Sequence, residues 1–218
     1  MMGGAKGLHA DLSDDTLSLP DRRRGGYAVT AQQSYTTYPD NLPVPEDDGA
    51  ADHLVGLILA SVPLPSTGGG LVDLAKLKGQ TVLYCYPKTG VPGQALPQGW
   101  DDIPGARGCT PEACAFRDHF AELKAAGADH VFGLSTQDTA YQKELHDRLH
   151  LPFPILSDAK LDFAGSLGLP TFEAWGDTLI KRITLIIRDA AIEHVFYPIF
   201  PPDGHAAEVL AWLKAHPR

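Results

Sequence analysis

The chain of 218 residues has little cysteine: three, at positions 85, 109 and 114, with no Cys-x-x-Cys pair. A zinc site near Cys114 and His119 is two ligands short. Basic charge is also scarce, 18 Lys and Arg against 27 Asp and Glu, for a net charge of −9. Such a chain repels phosphates, which argues against nucleic acid and anionic membranes as partners. The run Arg22-Arg23-Arg24 reads as a solvated tail. Long apolar runs are missing. The best, Leu54 to Leu64, is broken by Gly56 and Pro63 and is far short of the roughly 20 residues a span needs. Met1 to Ala10 carry no apolar core of a signal peptide, so a reducing cytoplasm is the expected setting. There is no internal repeat.

What is present centres on residues 104–119. A Gly- and Pro-rich loop delivers Cys109. Thr110 reads as a helix N-cap and Pro111 as the first helical residue, where the missing N–H costs nothing. Phe116, Phe120 and Leu123 share one helical face, so the spacing predicts a helix to about Ala126, stopped by Gly127. A thiol at such a helix mouth meets unpaired N–H groups and the positive end of the dipole, and both favour the thiolate. Cys114 follows five residues on, near enough to become a disulfide partner. Cys85, inside an apolar run, reads as a small core residue.

Residues 1–51 form a polar, turn-rich N-terminal extension, partly disordered or draped over the surface, with Tyr27, Tyr35 and Tyr38 as possible anchors. Residues 52–218 form the globular domain. Its expected strands are 57–64, 71–74, 81–86, 130–135 and 152–156, then a hairpin of 183–187 and 192–197. Helices are expected at 139–149, 161–167 and 206–215. The alternation gives an α/β fold with a mixed central sheet and helices on both faces. Residues 88–108 are a loop long for a compact domain, with Trp100 and Ile103 to bury, and such loops are usually functional.

The segments Val82-Leu83-Tyr84-Cys85-Tyr86-Pro87-Lys88 and Gly108-Cys109-Thr110-Pro111-Glu112-Ala113-Cys114-Ala115-Phe116-Arg117-Asp118 resemble the peroxiredoxins. They are close to the bacterioferritin-comigratory, PrxQ-like branch of the alkyl hydroperoxide reductase and thiol-specific antioxidant family. Ile155 to Asp158, Lys181 to Ile187 and Gly204 to Leu210 match further segments in order. The resemblance covers roughly residues 52–218. It implies a thioredoxin-like fold and a thiol peroxidase that reduces hydrogen peroxide and organic hydroperoxides without a cofactor or a metal. It further implies Cys109 as the peroxidatic cysteine, Cys114 as the resolving one, Arg182 as the arginine over the thiolate and Pro87 as the shielding proline. A thioredoxin-like dithiol is the implied reductant, and the chain is expected to be a monomer or dimer.

One departure stands out. The resembled pattern places a threonine three residues before the cysteine and a proline seven before it. Here those positions are Ala106 and Asp102, and Pro87 lies 22 positions upstream of Cys109. The active-site loop therefore carries an insertion. Thr89 is the candidate for the displaced threonine, with Thr110 as its rival, its hydroxyl assigned to the helix cap. The chemistry suits these residues: a thiolate attacks a peroxide oxygen, the sulfenic acid condenses with a second thiol, and a dithiol reduces the disulfide. Two other readings use the same residues. One is a thiol–disulfide oxidoreductase or redox sensor, which the lack of Cys-x-x-Cys disfavours; the other is a non-catalytic binding protein.

Overall fold

The computed structural model describes residues 41–217. In chain order its elements are β1 (Pro63–Pro65), β2 (Leu71–Asp73), β3 (Gln80–Cys85), α1 (Cys109–Asp118), α2 (Phe120–Ala125), β4 (His130–Ser135), α3 (Thr139–Leu149), β5 (Ile155–Ser157), α4 (Asp162–Leu167), β6 (Thr171–Ala174), β7 (Asp177–Ile180), β8 (Ile183–Arg188), β9 (Ala191–Phe196) and α5 (His205–Ala215). The central sheet has the order β5-β4-β3-β8-β9. Strands β3, β4 and β5 run parallel, while β8 and β9 are antiparallel to their neighbours. It is the mixed sheet with helices on both faces that the alternating pattern predicts.

Strand β3 lies in the middle and is buried along its whole length. Its side chains alternate between two cores, as the pleat requires. Val82 and Tyr84 join Phe116 of α1, Leu145 of α3 and Val209 of α5. Leu83 and Cys85 join Phe163 and Leu167 of α4, with Leu54 and Leu59 from the preceding segment. Cys85 is therefore a core residue, and burial pushes its thiol well up. The rings of Tyr84 and Phe116 stack at 4.3 Å, fixing α1 against the sheet. The neighbouring strand position is Gly133, where an added Cβ would come within 2.8 Å of the Tyr84 ring.

Residues 54–67 run along the sheet as a strap. The N–H groups of Gly56 and Leu59 donate to the carbonyls of Ile192 and Ala190 on one side. The Thr67 N–H donates to the Ile155 carbonyl on the other. Packing begins upstream of residue 52: Ala51 is buried, and Asp48 accepts from Lys181 and from the Tyr197 hydroxyl. Residues 1–40 of the expected extension, with Arg22 to Arg24 and the three tyrosines, lie outside the described residues.

The helix that follows the insertion differs from expectation at both ends. Its N-cap is Gly108, with no side-chain cap, so Cys109 is the first helical residue and Thr110 the second. A glycine is required there. Its φ is +103°, and a Cβ would meet Pro202 at 2.3 Å. The helix then breaks at His119 into α1 and α2, where a single helix to Ala126 was expected. The hairpin β6–β7 also has no counterpart among the expected elements.

Candidate active site

Cys109 sits at the N-terminus of α1, 4% exposed, and its thiol donates to the Ala106 carbonyl at 3.5 Å. Arg182 lies between β7 and β8, also buried. Its Nη2 donates toward Cys109 Sγ at 3.2 Å. The same nitrogen faces the carbonyls of Gly105, Ala106 and Arg107 at 3.3, 3.5 and 3.1 Å. The other, Nη1, forms an ion pair with Glu112 Oε2. The guanidinium is thus clamped between the end of the insertion and the first turn of α1.

The influences on the thiol oppose one another and burial prevails, so Cys109 is held above the ordinary thiol value, against the expectation from the helix mouth alone. Burial pushes Cys109 up, while the Arg182 guanidinium and a backbone N–H of Lys88 pull it down. The Glu112 carboxylate pushes it up again. Burial likewise lifts the Glu112 carboxyl to about 7, and its contact with Arg182 offsets only part of that cost. Arg182 stays charged, held up by Glu112 and Cys109. Helix N-terminal N–H groups add to the pull on the thiol. Glu112 had no place in the sequence reading of the site. The signal was there, since a residue three after Cys109 shares its face of the helix.

The other expected residues separate. Thr89 lines the same small cavity as Cys109, about 20 Å3 in volume. Its hydroxyl donates to Gln137 Oε1 at 3.1 Å, and its N–H to the same oxygen at 2.9 Å. Thr110 lines that cavity too and caps nothing. Pro87 is buried but lines a different cleft, of about 320 Å3, with Arg182, Ile103 and Pro104. Cys114 is half-buried and packs against the α1 face of the sheet core. Burial raises its thiol, and Arg117 and Arg148 lower it. Arg117 turns away, donating to Asp118 and to the Leu149 carbonyl. All three cysteines are free thiols. Both Cys109 and Cys114 lie in α1, five residues and about 140° apart around a helix.

The insertion is folded. Trp100 starts a single 3-10 turn and is buried with Ala106, Ala174 and Leu179, backed by Leu96, Ile103 and Phe172. Its ring lies 5.6 Å from that of Trp175, at the tip of the β6–β7 hairpin. Arg107 pairs with Asp101, and Lys88 with Asp177 of β7. The unexpected hairpin therefore serves as the dock for the insertion and runs directly into Arg182. Among the described residues no cluster of His, Cys, Asp and Glu could hold a metal ion, and no helix is long and apolar enough to cross a membrane.

A reduced thiol on a helix N-terminus, under a buried guanidinium on a mixed α/β sheet, defines a thiol-based redox protein. Comparison with known proteins narrows the class. The family model described as Redoxin matches residues 43–211. "Peroxiredoxin Q, chloroplastic" of Oryza sativa subsp. japonica is 30% identical over 207 residues, 92% of this chain and 85% of that one. "Peroxiredoxin Bcp" of Escherichia coli K12 is 34% identical over 171 residues, 74% of this chain and 96% of that one. The crystal structure of peroxidoxin BcpB from Mycobacterium tuberculosis superposes with a TM-score of 0.58 at 30% identity, covering 74% of this chain and 96% of that one. The chain belongs to the Redoxin family, among the peroxiredoxins of the Q or Bcp type, and its fold is thioredoxin-like.

Proposed function

We propose that this protein is a thiol peroxidase in which Cys109 is the nucleophile, Cys114 the resolving thiol and Arg182 the electrostatic partner of both thiolate and peroxide. The observation that carries the reading is the 3.2 Å contact from Arg182 Nη2 to Cys109 Sγ at the first residue of α1. The thiolate attacks one peroxide oxygen, forming an S–O bond as the O–O bond breaks. The electron pair leaves with the other oxygen, which takes a proton and departs as water or an alcohol. Arg182 stabilises the charge on that oxygen, with a permanently charged and forked donor set. Cys114 then attacks the sulfenic sulfur, giving a disulfide and water, and a thioredoxin-like dithiol reduces it.

In this chain the threonine role falls to Thr89, held beside the thiol by Gln137, and Pro87 shields Arg182 from the opposite side. The catalytic domain is residues 52–218, with Pro45 to Ala51 laid on it. Both cysteines come from α1, so the cycle needs no second subunit. A cytoplasmic setting belongs to the same proposal and rests on the sequence's three cysteines, a close pair of which suits catalysis in a reducing compartment. The test is peroxide consumption by the purified chain with thioredoxin, thioredoxin reductase and NADPH. Turnover that vanishes in Cys109→Ser is expected. No turnover in the parent with any dithiol, or full turnover in Cys109→Ser, refutes the reading.

A further inference from the structure

The insertion creates a problem of placement at the thiol. Lys88 donates its backbone N–H to Cys109, and Thr89 lines the small cavity there. Yet Thr89 lies 20 positions before Cys109 in the chain. A tether of that length fixes no position by itself, since bringing the ends of a flexible loop together costs entropy. Residues 88 and 89 must be held against the sulfur from outside the loop.

The hold comes from Gln137, between β4 and α3, and from Tyr141 in the first turn of α3. Gln137 is buried and grips Thr89 from both sides of its main chain. The Thr89 N–H and hydroxyl both donate to its Oε1, at 2.9 and 3.1 Å. Its Nε2 donates to the Thr89 carbonyl at 3.1 Å, and the Tyr141 hydroxyl donates to the same carbonyl at 2.9 Å. The amide cannot be turned over, because the Thr89 N–H can only donate and the carbonyl only accept. Gln137 and Tyr141 are held in turn. The Gln137 carbonyl accepts from Ser157 Oγ at 2.7 Å, and the Asp138 carboxylate caps α3 by accepting from the Tyr141 N–H at 2.8 Å.

We propose that Gln137 and Tyr141 are positioning residues of the thiol site: they clamp Thr89 so that the N–H of Lys88 stays on the Cys109 sulfur. The proposal deepens the peroxidase reading and adds two residues that act through Lys88 and Thr89. A hydrogen bond to a charged acceptor is roughly twice as strong as one between neutral groups. The Lys88 N–H therefore favours the thiolate over the thiol, and loosening the clamp should raise the pKa of Cys109. The charges that face the sulfur, Arg182 and Glu112, and the neighbouring phenols of Tyr84 and Tyr86 lie on other elements and keep their own contacts.

The test is the pH profile of iodoacetamide alkylation at Cys109 in the full chain, followed by mass at that residue. Gln137→Met keeps the length of the side chain and loses the clamp. Its profile should shift up by about one pH unit, the scale of one lost hydrogen bond to a charged group. Below the midpoint the alkylation rate should then fall about tenfold, because the thiolate is the form that reacts. A side chain that only stabilised the fold would do the reverse, since loosening uncovers a buried thiol. Tyr141→Phe should shift the profile the same way by less, and it carries the test should Gln137→Met fail to fold. Thr67→Val removes a buried hydroxyl on the strap that accepts from the Ile155 N–H at 2.9 Å, and it should leave the midpoint in place. Midpoints within about 0.2 pH units of the parent's in the folded clamp variants overturn the proposal. Faster alkylation without a shift, or an equal shift in Thr67→Val, overturns it as well. The readout needs no peroxide: a chain inert to hydrogen peroxide refutes the peroxidase reading, while shifted midpoints in that same chain still uphold the clamp.

Discussion

Removing the Trp100 side chain should unlock the active site without unfolding the protein. Trp100 is 3% exposed and belongs to a small cluster separate from the two cores that flank the sheet. The cost of Trp100→Ala therefore falls on docking of the insertion against β6–β7. Truncating a buried tryptophan costs about 3–5 kcal/mol, of which the tilted ring contact with Trp175 accounts for about 0.5–1.5 kcal/mol. At the lower bound, about 3 kcal/mol, the docking equilibrium shifts by roughly 100-fold, since about 1.4 kcal/mol is a factor of ten. Cys109 is almost fully covered, so a maleimide reaches it only after the insertion lifts, and the labelling rate follows the open population. N-Ethylmaleimide should thus label Cys109 up to about 100-fold faster in the variant, reaching a ceiling once the loop is mostly open. Cys85, in the main core, reports global unfolding and should stay unlabelled. Labelling of Cys109 within about threefold of the parent, or labelling of Cys85 in step with it, would show that the insertion is not an independently docked lid.

Four further outcomes are expected. Cys109→Ser should abolish peroxide reduction and Cys85→Ser retain it, read by peroxide consumption. Arg182→Ala should raise the Cys109 pKa by about one to three units, the scale of a lost neighbouring charge, as seen in the pH profile of thiol alkylation; an unmoved profile removes Arg182 from the site. His205 is held down to about 4 by burial between Thr184 and Glu208. The unfolded chain therefore takes up the proton first, and its contribution to stability is full above about 6.5 and lost as pH falls toward 4. His205→Gln should flatten the fall in melting temperature over that window, and an unchanged slope counts against it. Disulfide formation must unwind the start of α1, because residues five apart in a helix have Cα atoms roughly 8–9 Å apart and a disulfide needs about 4.4–6.8 Å. Amide exchange over residues 110–117 should be faster in the oxidised protein, and equal protection with the disulfide verified by mass refutes the unwinding.

The framework of the domain was legible because its signals are local. Val82 to Tyr86 reads as a buried strand on β-branched and aromatic content alone, and Gly127 stops a helix wherever it falls. The candidates Cys109 and Cys114 were legible in their placement at a helix start and Arg182 through resemblance, and the fold brings Cys109 and Arg182 into contact. What stayed hidden depends on contacts distant in sequence. Thr110 has the chemistry of an N-cap, yet Gly108 takes the position because the chain must pass against Pro202 with positive φ. Strand β6 carries Phe172 but no clear alternation, and its partner β7 begins with Asp and Thr. Nothing within the hairpin announces that Trp100, some 70 residues upstream in the chain, packs against it. Glu112 looks like a surface charge in a helix until Arg182 is brought beside it.

The strap of residues 54–67 has a meaning apart from packing. A sheet of five strands ends in two rows of N–H and C=O groups, and each row is a template on which a foreign strand can add. Here a single stretch satisfies part of both rows, at Ile192 of β9 and Ala190 just before it and at Ile155 on β5. The protein thus entrusts both of its vulnerable borders to one segment. A proteolytic cut that released the strap would open the two together, and the damaged molecule would be prone to self-association through its edges while its thiol chemistry was still intact.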